Sequence, residues 1–167
     1  SCIEFRQNEV IVSPLLLQRD TLLELEYNLM FFRLGENRSS SKIQEKYIKN
    51  IENNIESKKS FDEMTTLANK MKESLLKGDV KYFADLLHKS WILKKEINDN
   101  VTNEYIDDCY NTAKELGALG GKLLGAGRGG YLIIYASPLY QKQIKDVLAK
   151  KGAIQEMFKF SQNGLEV

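Results

Sequence analysis

Seven of the chain's 11 glycines fall between Gly117 and Gly130, directly before Tyr131-Leu132-Ile133-Ile134-Tyr135-Ala136, a run with strong strand character. Glycines at such density can adopt positive φ, and they leave no side chain between backbone N–H groups and a ligand. Two readings follow. One is a glycine-rich turn that lets the chain enter the strand tightly. The other is a concave anion site, in which successive exposed N–H groups hold a phosphate. Two common phosphate motifs do not fit. Gly125-x-Gly127-x-x-Gly130 matches GxGxxG, but that fingerprint needs a helix after it and a strand follows. The P-loop pattern GxxxxGK[ST] fails because position 116 is leucine and Lys122 is followed by Leu123.

The rest of the chain limits what can surround this segment. Ile3-Glu4-Phe5 and Glu9-Val10-Ile11-Val12 read as short strands joined by a turn at Arg6-Gln7-Asn8, with Pro14 closing the unit. Thr21 to Leu34 is largely apolar. Its second half, Tyr27 to Phe32, predicts a buried strand ending at Gly35, and a helix stays open for Thr21 to Leu25. Four helices are predicted next. Ser40-Ser41 caps one through Ile43, Tyr47, Ile48 and Ile51, and Ser60 caps one through Met64, Leu67, Met71 and Leu75. Asp79, after Gly78, starts a third through Phe83, Leu86, Leu87 and Leu93. A fourth runs from Thr102 through Tyr105, Ile106, Cys109, Tyr110 and Ala113 to Gly117. Beyond the Tyr131 strand, Ser137-Pro138 opens a helix that Gly152 ends, and Ile154 to Phe160 reads as a last strand. The fold class is α+β, with a mainly antiparallel sheet packed against helices.

With 167 residues, 43% hydrophobic and 28% charged, the chain suits one domain or one half of a two-domain enzyme. Its 24 Lys+Arg against 23 Asp+Glu argue against a nucleic-acid or membrane-surface partner, and no run approaches the ~20 apolar residues of a membrane span. Cys2 and Cys109 form no metal or redox pattern and read as thiols of a reducing compartment, which suggests a cytoplasmic protein. The chain opens without Met in the alternating run Cys2-Ile3-Glu4-Phe5, which suggests a fragment whose early strands lack a partner. Asp107 and Asp108 are adjacent on a helix, so their side chains diverge, and they are rejected as a metal pair.

Gly117-Ala118-Leu119-Gly120-Gly121-Lys122-Leu123-Leu124-Gly125-Ala126-Gly127-Arg128-Gly129-Gly130 resembles the third signature of the GHMP kinases, which include galactokinase, homoserine kinase and mevalonate kinase. Their pattern is close to G-A-x-G-x-K-x-x-G-A-G-G-G-G before a strand. Together with Glu4-Phe5, Val10-Ile11-Val12, Arg38-Ser39-Ser40 and Leu86-Leu87-His88-Lys89-Ser90-Trp91, the chain is similar to the D-glycero-D-manno-heptose 7-phosphate kinase group over all its length. The resemblance implies that residues 1–167 are a ferredoxin-like C-terminal domain, with the ATP-binding N-terminal half as its missing partner.

In the family that half carries P-x-x-x-G-L-[GS]-S-S and the acidic residue proposed as base. Neither is found in this chain, whose prolines are Pro14 and Pro138. The implied reaction moves the γ-phosphoryl group of ATP, with Mg²⁺, to the anomeric hydroxyl of a heptose 7-phosphate, and the nucleotide and metal lie mainly on the other half. The share expected of this chain is a loop of Gly125, Ala126, Gly127, Arg128, Gly129 and Gly130 that closes over phosphate and sugar, with no catalytic residue and no metal ligand of its own.

Lys122 either supports that loop or a substrate phosphate, or is solvated beside it. Arg128, where the family usually has glycine, either grips a phosphate or points to solvent. Arg38 and Ser39 either contact the sugar or its phosphate or serve a helix cap. His88 is either a packed helix residue or a group approaching the substrate. The alternatives at the level of function are a free-standing module that binds a phosphometabolite, a galactokinase- or fucokinase-like enzyme, and a homodimer built through the early strands.

Overall fold

The computed structural model describes residues 1–35, 55–125 and 129–160. The expected Ser40-to-Ile51 helix, Arg38, Ser39, Ala126, Gly127 and Arg128 lie outside them.

The two early strands form a hairpin of their own. β1 (Cys2–Phe5) pairs antiparallel with β2 (Val10–Ser13), and Arg6 N–H donates to Glu9 O at 2.9 Å across the expected turn. The pairs Ile3–Val12 and Phe5–Val10 put four apolar side chains on one face, and all four are exposed, Phe5 by 80%. The opposite face is tied to the next helical layer through Glu4 and Lys72 (3.5 Å).

Helix α1 (Arg19–Asn28) comes next, and β3 (Leu29–Arg33) follows it without a break. The aromatic run predicted a strand from Tyr27, but the helical period of buried Thr21, Leu25 and Asn28 carries the helix two residues further. The Asn28 side chain donates to Glu24 O (2.8 Å), which holds that last turn. α2 (Ile55–Leu76) also differs from expectation. Ser60 lies inside it rather than at its cap, since no glycine or proline between Ile55 and Ser60 forces a break and serine is only a mild opponent of helix. α3 (Val80–Ile97) starts as predicted, with the Asp79 carboxylate accepting from Tyr82 N–H at 2.9 Å. α4 (Glu104–Glu115) is capped by Asn103, whose side chain accepts from Ile106 N–H, one residue later than the expected Thr102 start.

The main sheet has the order β4-β5-β3-β6, antiparallel throughout. β5 (Tyr131–Tyr135) and β3 are central, and α5 (Pro138–Lys150) returns to β6 (Ile154–Glu156) at one edge. β6 is shorter than the predicted Ile154-to-Phe160 strand. The chain leaves the ladder after Glu156, and Phe158 packs its ring on Phe31, with centroids 4.3 Å apart.

The sheet has apolar residues on both faces. One face carries Met30, Phe32, Leu123, Leu132 and Ile134 into a core shared with Trp91, Ile106, Tyr110, Ile144 and Leu148. The other carries Leu29 and Tyr135 against Leu25, Val80 and Ala84. α3 contributes to both clusters, through Ala84 and Trp91, and so wraps the edge of the sheet. Trp91 and Phe32 are fully buried, and each such side chain contributes roughly 2–3 kcal/mol of transfer free energy. No helix among the described residues is long and apolar enough to cross a membrane.

Candidate functional site

The edge that α3 covers is β4 (Gly120–Leu123), a strand the sequence concealed because it contains two glycines. Its register with β5, Gly120–Tyr135, Gly121–Ile134, Lys122–Ile133 and Leu123–Leu132, puts Gly120 and Lys122 on one face and Gly121 and Leu123 on the other. A Cβ on Gly120 would overlap the carbonyl oxygen of Ala84 in α3, and one on Gly121 would overlap the carbonyl oxygen of Ile133 in β5. These glycines serve close approach of backbones, not positive φ. They let α3 lie against the strand that leads into the loop.

That contact aligns helix and strand. Gly120 sits by Ala84 and His88, Lys122 Nζ donates to Ser90 Oγ at 3.2 Å, and Lys94 Nζ donates to Gly125 O at 2.8 Å. The loop itself is closed at its base. Leu124 N–H donates to Tyr131 O and Leu34 N–H to Gly130 O, both at 2.8 Å. Gly125 (φ 78°) and Gly130 (φ 100°) take the left-handed backbone needed to leave β4 and enter β5. Beside the exit, Glu156 accepts from Arg33 Nε and from the Tyr131 hydroxyl, both at 2.8 Å, so that β3, β5 and β6 are fastened at the loop end.

The electrostatics of this corner are cationic. Burial lowers the Lys122 amine from its ordinary value. Burial, and then the nearby charge of Lys122, push Lys94 down to about 8. Neither lysine has a carboxylate partner among the described residues, whereas Lys95 pairs with Asp107 (3.0 Å) and Lys151 with Asp108 (2.6 Å). The two aspartates thus diverge to separate lysines, as their adjacency on a helix predicted. The described side-chain donors on this side of the loop are two ammonium groups and a hydroxyl, a set that fits a phosphate, while the Glu156 carboxylate at the loop end is engaged by Arg33 and Tyr131.

Of the residues singled out in the sequence, Lys122, Gly125, Gly129 and Gly130 are brought to this corner. Lys122 is half-buried and bonded rather than solvated. Ser90 and Lys94 were missed. Their spacing of four on α3 is ordinary for a helix, and only the docking of α3 on β4 turns them toward the loop. His88 is bonded into the core. Burial, ahead of the neighbouring lysines, lowers its imidazole, and burial raises the Tyr110 phenol. The Tyr110 hydroxyl and His88 Nδ1 are hydrogen-bonded at 2.6 Å.

Known proteins share this fold. Residues 71–154 match the family model "GHMP kinases C terminal". Over 98% of its length the chain is 30% identical to the D-glycero-alpha-D-manno-heptose 7-phosphate kinase of Campylobacter jejuni, of which it spans 48%. The structure of L. major mevalonate kinase in complex with R-mevalonate superposes with a TM-score of 0.74 at 27% identity, covering 87% of this chain and 43% of that one. That of a D-glycero-D-manno-heptose 1-phosphate kinase from Bacteroides thetaiotaomicron gives 0.60 at 25% identity, with 95% of this chain and 41% of that one covered. The chain thus spans about half the length of the relatives it matches, and the glycine segment, its flanking strands and the helix across them lie inside the matched region. The chain belongs to the GHMP kinases and corresponds to their C-terminal domain.

Proposed function

We propose that this chain is the C-terminal half of an ATP-dependent sugar kinase that phosphorylates the anomeric hydroxyl of D-glycero-D-manno-heptose 7-phosphate. The observation that carries the reading is the 30% identity to the Campylobacter jejuni heptose 7-phosphate kinase over 98% of the chain. In the reaction the anomeric oxygen bonds to the γ-phosphorus, the bond to the ADP oxygen breaks, and the hydroxyl proton passes to a base. That base and most contacts to ATP and Mg²⁺ belong to the N-terminal half.

The part assigned to this chain is electrostatic and positional. The loop from Gly125 through Ala126, Gly127, Arg128 and Gly129 to Gly130 closes the phosphate and sugar side of the cleft with backbone N–H groups, and Lys122 supports it. Arg38 and Ser39 contact the sugar or its phosphate. The apolar hairpin face of Ile3, Phe5, Val10 and Val12 supplies contact surface for the N-terminal half. The cytoplasm, where ATP and phosphorylated sugars are found, is the compartment this reading implies.

The test is a chimera in which the chain replaces the corresponding half of the Campylobacter jejuni enzyme. We expect ATP-dependent consumption of heptose 7-phosphate and little with galactose or fucose. The isolated chain should give none. Turnover by the isolated chain would refute the half-enzyme reading, and preference for fucose or galactose would move the substrate to another sugar.

A further inference from the structure

The kinase reading assigns Lys122 to the loop and leaves Lys94 unused, yet the structure treats the two alike. Lys122 projects from β4 on the face of Gly120, toward α3. Ser90 and Lys94 stand one turn apart on the facing side of α3. Each amine makes one hydrogen bond to a neutral oxygen among the described residues, Lys122 to Ser90 Oγ and Lys94 to Gly125 O. An ammonium group carries three donors, so each retains capacity.

Several lysines near these helices have carboxylates in place, Lys72 with Glu4, Lys89 with Asp85, Lys95 with Asp107 and Lys151 with Asp108, while Lys114 donates to Leu119 O and has the charge of Asp85 nearby. Lys94 and Lys122 have none among the described residues. Both cations are partly desolvated, and the charge of Lys122 lowers the proton affinity of Lys94 further, a situation that is unfavourable without a counter-ion. An anion that reaches both ammonium groups and the Ser90 hydroxyl removes the penalty.

We propose that Lys94, Lys122 and Ser90 form a seat for a phosphate dianion at the foot of the glycine loop. Lys94 is its second cation. Its bond to Gly125 O couples the occupied seat to the first residue of the loop. The source is either a sugar phosphate or the nucleotide, and this choice alone rests on the kinase reading.

The experiment titrates the 167-residue chain by calorimetry, without a partner, using inorganic phosphate, glucose 6-phosphate, glucose and ATP in turn. Saturable binding of phosphate and glucose 6-phosphate is expected, with none for glucose. Lys94→Met and Lys122→Met should each weaken phosphate binding by about tenfold or more, and Lys94→Arg should retain most of it. Phosphate should also raise the melting temperature of the parent chain but not of Lys94→Met, which separates loss of the seat from loss of the fold.

Absence of saturable phosphate binding, or equal binding by the double Met variant, overturns the proposal. Sensitivity of glucose 6-phosphate binding to the Met variants assigns the seat to the sugar phosphate, and sensitivity of ATP alone assigns it to the nucleotide. Either supports the seat. A chimera that binds phosphate but transfers none would refute the kinase reading and leave the seat intact. An active chimera whose KM values for sugar phosphate and ATP ignore Lys94→Met would do the reverse.

Discussion

The glycine segment is two structures that look alike in sequence. Gly120 and Gly121 lie in an extended strand and are glycine because neighbouring backbones occupy the space of a side chain, from α3 on one face and β5 on the other. Gly125, a few residues on, faces open space and is glycine because its φ is 78°. The first pair sets where α3 lies, and the second lets the chain turn. A run of glycines is thus not one signal. Close approach and positive φ put different demands on the molecule, and only the first decides which helix side chains reach the loop.

The sharpest way to break this distinction is at Gly120. Gly120→Ala must push α3 off β4 or expel β4 from the sheet, and should cost roughly 3 kcal/mol or more in urea unfolding. It should also weaken phosphate binding, since Ser90 and Lys94 move with α3. Gly125→Ala meets no atom and bears only the left-handed backbone, so about 1–2 kcal/mol is expected in the same measurement. Equal costs at the two positions would erase the difference.

A smaller effect sharpens the role of the lysines the docking brings together. Lys94, lowered to about 8, holds phosphate only while protonated. Binding of glucose 6-phosphate should strengthen as the ester becomes a dianion near pH ~6, and weaken as pH rises above about 8, where the free amine loses its proton. The upper limb should move to higher pH in Lys94→Arg, whose guanidinium stays charged. A flat profile between pH 7 and 9.5 would remove Lys94 from the seat.

Much of this molecule was legible in its residues because the relevant physics is local. Asp79 after Gly78, and Pro138 after Ser137, start helices by satisfying or omitting N–H groups within one turn, and the strand at Tyr131 is announced by β-branched and aromatic side chains. Arg6-Gln7-Asn8 turns the hairpin, and the order of residues from Gly117 to Gly130 marks the family. Where local cues competed, tertiary contacts decided. Tyr27 went to helix because Thr21, Leu25 and Asn28 bury one face, and Phe158 left the ladder to pack on Phe31.

The sequence by itself determined the α+β class and the position of the glycine-rich segment before the Tyr131 strand. The tertiary structure alone decided that Gly120 and Gly121 form a strand, that Ser90 and Lys94 face Lys122, and that His88 is bonded to Tyr110. The reason is distance along the chain. Ser90 and Lys122 are 32 residues apart and Lys94 and Gly125 are 31 apart, and no periodicity within either element encodes the other. Their meeting depends on a helix and a strand approaching more closely than any side chain between them would permit.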